Sequence, residues 1–297
     1  MGYAAQQARI KWRKVVEAGQ RSVLVTGCSS GIGRATALLL RQHRYRVFAT
    51  VRRTEDIAAL AGTGLESLSL DLSSSDSIRA AVAEILDKTQ GCIHGIVNNG
   101  AYGQPGAVED LTRDALREQF ETNVFGTQEL TNRIIPAFRA QGSGRIVQIS
   151  SLLGVVCLAY RGAYSASKFA LEALSDTLRL ELRGTNIHVC LVEPGPISSR
   201  FRENAYQAYL RHIDRAHSVH RDYYARVEAR LGGTKSLPFT LAPEAVADKV
   251  VHALGARRPK IRYPVTVPTR FLAAARRLLP GRALDLLAAA IGSSGQR

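Results

Sequence analysis

A chain of 297 residues, 45% hydrophobic and 22% charged, has a globular composition and ample length for a large core. Forty lysines and arginines against 25 acids give a net charge of +15, which points to an anionic partner such as a phosphorylated cofactor, an acidic membrane surface or nucleic acid. A disulfide scaffold is excluded by four widely spaced cysteines (Cys28, Cys92, Cys157, Cys190), and a membrane-spanning helix by apolar runs that are too short.

Residues 1–21 read as a basic N-terminal extension without the apolar core of a secretory signal, so a cytoplasmic location is expected. From Ser22 onward, short β-rich runs alternate with longer helical ones. "SVLVTG" is a buried strand, "GRATALLLRQH" a helix and "RVFATV" the next strand. "LESLSLDL" alternates towards Asp71, and "SDSIRAAVAEILDKT" is an amphipathic helix with Ser or Asp caps. "IHGIVNNG" is a strand, and Leu111 to Arg139 is mostly helical with Pro136 near its end. "GRIVQISS" is a strand, Ala163–Leu182 a helix and "IHVCLVEPG" a strand; a helix opening at Pro243 and the short strand "KIRYPV" close the pattern. The alternation predicts an α/β fold: one domain over 22–265, with a doubly wound parallel sheet of about seven strands and helices on both faces. Residues 198–237, rich in Arg and Tyr, and the basic amphipathic tail 266–297 fall outside that rhythm. No helix-turn-helix signature, Cys/His finger or aromatic RNA-binding motif is present, so a nucleic-acid partner is not expected.

The first strand runs into "TGCSSGIG", which puts Gly27, Gly31 and Gly33 between a strand and a helix. Glycines permit a tight turn and close backbone approach to a pyrophosphate, and the helix N-terminus supplies free N–H groups and positive potential. A purely structural turn is the alternative. Asp71 either accepts from an adenine amino group or caps the following helix. Arg52 and Arg53 follow the second strand, where sites that prefer NAD usually carry an acid for the ribose 2′-OH. A guanidinium there suits a 2′-phosphate, so NADP(H) is favoured over NAD(H).

Tyr164 and Lys168 lie four residues apart and share a helix face. A nearby ammonium favours a phenolate, so such a tyrosine can exchange a proton with a carbonyl or alcohol oxygen. The spacing alone is common and usually inert. Around it, Ser150 and Ser151 end one strand, Asn98 and Asn99 end another, and Asn123 sits inside a predicted helix that it suits poorly.

Together these motifs resemble the single-domain short-chain dehydrogenase/reductases, a Rossmann-fold family. TGxxxGIG, the strand-ending Asp71, NNGA, the Asn of NVxG, the Ser before YxxxK, and PGPI occur in family order from about Val23 to Ser199. The resemblance implies Tyr164 as general acid/base, with Lys168 lowering its pKa and binding the nicotinamide ribose. It implies Ser151 on the substrate oxygen, and Asn123 holding a water that links Lys168 to solvent. Gly27, Ser29, Ser30, Gly31, Ile32 and Gly33 would form the phosphate turn. Asp71 and Leu72 would flank adenine, Asn98 the adenosine-side ribose, and Pro194, Gly195, Ile197 and Ser199 the nicotinamide. Here NNGA replaces the commoner NNAG, and Ser199 stands where many members have Thr.

"FATVRR", "YSASKFALEAL" and "VEPGPISSRF" are similar to the 17-beta-hydroxysteroid and retinol dehydrogenase branch. Arg52 is then the 2′-phosphate ligand, and the substrate an alcohol or ketone on a lipophilic scaffold. Two other readings stay open: a cofactor-binding regulator on the same fold, and a sugar-nucleotide epimerase or dehydratase. The family resemblance implies that 198–237 folds over the substrate as a lid, with Phe201, Tyr206, Tyr209, Tyr223 and Tyr224 lining it or packing within it. Leu152, Leu153 and Val155 are further candidates for an apolar pocket wall. His212, His217 and His220 have no recognised metal-site spacing, and no metal is expected. The tail is read as contacting a membrane interface, its own domain or a subunit neighbour. The resemblance implies a homodimer or homotetramer built through the two long helices.

Overall fold

Successive residues of a strand point to opposite faces of a sheet, and here both faces are apolar. In the computed structural model, which describes residues 21–231 and 238–294, β1 (Ser22–Val25) sends Val23 and Val25 into one core and Leu24 into the other. β2 (Arg46–Val51) divides in the same way, with Val47, Ala49 and Val51 against Phe48. With β3 (Glu66–Ser69), β4 (Gly95–Asn98), β5 (Gly144–Ile149), β6 (Ile187–Glu193) and β7 (Arg262–Pro264) they form a seven-stranded sheet of order β3-β2-β1-β4-β5-β6-β7. Every pairing is parallel, as the alternating pattern predicts.

Parallel neighbours need crossovers, and helices supply most of them. In chain order they are α1 (Gly31–Gln42), α2 (Ser75–Lys88), α3 (Arg113–Phe120), α4 (Thr127–Gln141), α5 (Gly162–Glu181), α6 (Phe201–His212), α7 (Arg221–Leu231), α8 (Glu244–Gly255), α9 (Val267–Leu278) and α10 (Gly281–Ser294), besides a single turn at Glu55–Ala58. α1 and α8 cover the face holding Val23, Val147 and Val192, through Leu40, Val246 and Val250. α2, α4 and α5 cover the face holding Leu24, Ile96 and Ile146, through Ile85, Phe138 and Leu178. Strand order reverses between β1 and β4, and a crevice opens at such a reversal beyond the carboxyl ends of the strands.

The helix expected over Leu111 to Arg139 is two helices, α3 and α4, joined by a π-helical turn at Glu121–Gly126. Close packing accounts for the glycine there: a Cβ on Gly126 would stand 1.7 Å from the Leu72 carbonyl oxygen. π-Turns inside helices are rare and frequent at functional sites; this one carries Asn123.

The 198–237 segment forms α6 and α7, and its residues 232–237 lie outside the described residues. Tyr209 and Tyr224 are fully buried, with Ile213 and Ala107 around them. These two rings pack the segment's own helices, as one of the sequence readings has it. The Tyr224 hydroxyl accepts from the Ala107 N–H at 2.9 Å and donates to Asp110, tying α7 to the loop after β4. In the tail, α9 lays Leu272 against Leu152 and Val156, and Leu287 and Ile291 of α10 pack beside them. Its inner face therefore covers its own domain. The N-terminal extension, up to residue 20, and residues 295–297 lie outside the described residues.

Candidate active site

The carboxyl ends of β1, β4, β5 and β6 bring the sequence-predicted residues together. After β1, Gly27 (φ 71°) and Gly31 (φ 56°) have left-handed backbone that glycine adopts without strain. Gly33 is required by proximity, since a Cβ there would lie 2.2 Å from the Gly27 carbonyl oxygen. Ser30 is the N-cap of α1, yet its side chain makes no capping bond, and no acid stands in the first turn. The helix thus offers uncapped N–H groups and its positive end to the crevice, which fits a pyrophosphate. Ser29 lends its carbonyl to Arg200 at 3.3 Å.

Two residues that sequence reasoning did not assign hold this turn. Asn99 Nδ2 donates to the Thr26 and Gly27 carbonyls, at 2.8 and 3.2 Å. Thr26 Oγ1 accepts from the Asn99 and Gly100 N–H groups, at 2.9 and 2.8 Å. The only signal for this was the pairing of "VTG" with "NNG" at neighbouring strand ends. Asn98 points the other way: it is buried and donates to Thr131 Oγ1 of α4 at 2.8 Å.

After β5, Ser151 Oγ accepts from the Leu153 N–H at 3.1 Å and lies beside Tyr164. Burial pushes the Tyr164 phenol up to about 12, and the Ser151 contact opposes that rise. Lys168, one turn further along α5, is 2% exposed and donates from Nζ to the Ile149 carbonyl at 2.7 Å. Its Nζ stands 5.8 Å from the centre of the Tyr164 ring. Burial lowers Lys168 to about 8, with the Glu172 carboxylate acting against the fall. Asn123 donates to the Tyr102 carbonyl at 2.9 Å and to Ser167 Oγ at 3.1 Å, and accepts from the Tyr102 N–H at 3.2 Å. The π-turn is therefore stitched to both α5 and the loop after β4.

The matching family model, described as short chain dehydrogenase, covers residues 21–210. The chain belongs to the short-chain dehydrogenase/reductases. The oxidoreductase YbbO of Escherichia coli K12, described as uncharacterized, is 42% identical over 266 residues, covering 90% of this chain and 93% of its own length. Human retinol dehydrogenase 8 is 34% identical over 84% of this chain and 83% of its own. Human 17-beta-hydroxysteroid dehydrogenase type 1 is 34% identical over 84% and 78%. Among solved structures, a short-chain dehydrogenase from Streptomyces avermitilis superposes with a TM-score of 0.71 at 29% identity, over 93% of this chain and 96% of that one. The resemblance to the hydroxysteroid and retinol dehydrogenase branch is borne out, and the chain is an oxidoreductase of a family that uses NAD(P).

In this short-chain dehydrogenase the remaining predicted residues fall as follows. Asp71 Oδ1 is taken by Ser73, whose N–H and hydroxyl donate at 2.9 and 2.7 Å. The cap of α2 is Ser74. Leu72 is buried beneath Gly100 and Gly126. Arg52 is exposed just past β2, and its guanidinium makes no hydrogen bond or ion pair to a described residue. The Pro194 carbonyl accepts from Leu152 N–H at 2.7 Å, joining the two strand ends. Gly195 follows it, Ile197 is bridged to Leu241, and Ser199 lies against Gly31, so this stretch borders the glycine turn. Phe201 packs edge-on against the Tyr164 ring, with centres 5.3 Å apart. His212, His217 and His220 pair with Glu118, Asp214 and Glu109 respectively.

Proposed function

We propose that this chain is an NADP(H)-dependent oxidoreductase that interconverts an alcohol and a ketone or aldehyde on a lipophilic substrate. The observation that carries this is Tyr164, beside Ser151 and one helical turn from the buried Lys168, near an uncapped glycine-turn helix. The bound nicotinamide supplies or takes the hydride. Tyr164 gives its phenolic proton to the substrate oxygen in reduction and takes it back in oxidation. Ser151 donates to the same oxygen as negative charge develops there. Lys168 keeps a positive charge beside the phenol, and Asn123 fixes the helix turn behind it.

Arg52 supports NADP(H), because an exposed guanidinium at the end of β2, with no hydrogen bond or ion pair among the described residues, suits a 2′-phosphate. Leu153 after Ser151, with Phe201 against Tyr164, gives an apolar approach to the reacting oxygen, whereas Leu152 and Val155 pack against the tail. The relatives named for retinol and 17-beta-hydroxysteroids support a lipophilic substrate class. A screen of NADPH and NADH oxidation over ketosteroids, retinal, aliphatic ketones and quinones tests the reading. Tyr164→Phe abolishes turnover, and Arg52→Ala lowers kcat/KM for NADPH far more than for NADH. Turnover that survives in Tyr164→Phe overturns the mechanism; an equal effect of Arg52→Ala on both cofactors overturns the NADPH assignment.

Two assembly readings accompany it. Leu116, Phe125, Leu174 and Leu180 are exposed on α3, the π-turn and α5, which favours a homodimer or homotetramer through these helices. Phe271, Leu278 and Leu286 are exposed on the tail near Arg270, Arg277 and Arg282, which favours peripheral contact with an anionic bilayer. No helix among the described residues is long and apolar enough to cross a membrane. Light scattering tests the first. Pelleting with anionic vesicles, with and without residues 266–297, tests the second, and binding that survives truncation overturns it.

A further inference from the structure

Behind Lys168 the fold buries a group of charges that the family motif does not include. The line Tyr164, Lys168, Glu172, Asp176 repeats every four residues along one face of α5. Glu172 is 6% exposed. Its Oε2 lies 3.0 Å from Arg262 Nη2 on β7, and the same nitrogen is 2.6 Å from Asp176 Oδ2. Arg262 Nε faces Glu193 at the end of β6 at 3.1 Å. Ser150, Glu172 and Lys168 meet beneath one turn: a Cβ on Gly154 would stand 2.6 Å from Ser150 Oγ, 3.2 Å from Glu172 Cγ and 3.4 Å from Lys168 Cβ. Arg262 of β7 thus holds a buried carboxylate one helical turn along α5 from the buried lysine.

We propose that Glu172, clamped by Arg262, is a positioning residue for the reaction, the fixed negative charge that keeps the Lys168 ammonium protonated in the dry site where Tyr164 needs it. A buried lysine with no counter-charge gives up its proton rather than pay the cost of desolvation. The Lys168 Nζ bond to the Ile149 carbonyl orients the ammonium but supplies no net charge. The other charges facing this site are accounted for: Asp176 is shared with Arg179 at 3.1 Å, and Glu193 is balanced by Arg262, with the field of Arg277 added. Glu172 is the acid whose field opposes the fall of Lys168, and burial lifts Glu172 itself while Arg262 pulls it back. Arg262 thus keeps the carboxylate charged, and the carboxylate keeps the ammonium charged.

The inference rests on the tyrosine–lysine reading above, and its test separates the two. Carbon-13 NMR of the lysine ε-carbons, with Lys168→Arg for assignment, reads the Lys168 titration without any substrate. In Glu172→Gln the Lys168 midpoint falls by about one pH unit or more, and in Glu172→Asp it stays near the wild-type value. The alkaline limb of kcat/KM for ketone reduction moves down by the same amount. A role in packing alone would lower the melting temperature and leave the midpoint in place. In the unaltered protein, carboxyl-carbon NMR must find Glu172 ionised throughout the range in which Lys168 titrates. A folded Glu172→Gln with an unmoved midpoint overturns the proposal, as does a wild-type Glu172 that is still protonated there, even if no Glu172 variant folds. Activity in Tyr164→Phe would instead overturn the reading of the site, whatever Lys168 does.

Discussion

At the residue scale, single atoms set the site. Gly33 has no room for a side chain, because a Cβ would meet the Gly27 carbonyl at 2.2 Å and Asn99 Nδ2 at 2.5 Å. Neither neighbour is free to move, since Asn99 is held by two carbonyls. Gly33→Ala therefore costs about 1–3 kcal/mol of stability and weakens binding of the nicotinamide cofactor, measured by chemical denaturation and fluorescence titration. The protonation states give a second expectation. Carbonyl reduction needs the Tyr164 phenol protonated and the Lys168 ammonium charged. With burial lifting Tyr164 to about 12 and lowering Lys168 to about 8, the lysine fails first as pH rises. The kcat/KM for reduction accordingly holds below about 8 and falls as Lys168 loses its proton. A profile that stays flat through that pH contradicts the assignment.

Elements show what the sequence could and could not disclose. The central strands were legible because both faces of each are apolar, and the glycine turn because its three glycines sit between a strand and a helix. Tyr164, Lys168 and Ser151 were legible as a family pattern, and the fold brings them within one cluster. The π-turn was not legible, since helical periodicity continues through "ETNVFGT" and only the awkward Asn123 marks the break. Thr26, Asn99 and Glu172 were missed for a common reason. Their partners lie on other strands, so no local spacing reports them. The 198–237 segment carries the same lesson and a third prediction. The Tyr224 hydroxyl sits between the Ala107 N–H and Asp110, more than a hundred residues away in sequence. Tyr224→Phe leaves both without that partner, at a cost of about 1–3 kcal/mol. Hydrogen exchange then quickens in α6 and α7 while the strands stay protected. Exchange that quickens uniformly would mean that α6 and α7 are not a separate unit.

Over the whole molecule, the site is built from charges that the core would reject, and stability records it. Burial raises Glu193 from 4.5 to about 7, with Glu172 adding to the rise and Arg262 opposing it. Between those two values the folded protein holds a proton that the unfolded chain has lost, so stability falls as pH rises through the window. Lys168 behaves in the opposite sense. Its folded value of about 8 lies below 10.5, so the cost of burying the ammonium is full below 8 and relieved as pH rises towards 10.5. These two groups therefore penalise the fold most between about 7 and 8, where the Lys168 ammonium is still largely charged. Glu193→Gln removes one of the two penalties and leaves Arg262 its contacts with Glu172 and Asp176. Its melting temperature matches the wild type below pH 4.5 and rises above it from about 7 upward, read by thermal denaturation across the window. A variant less stable than the wild type at every pH would show that the Arg262–Glu193 pair contributes more than its desolvation costs.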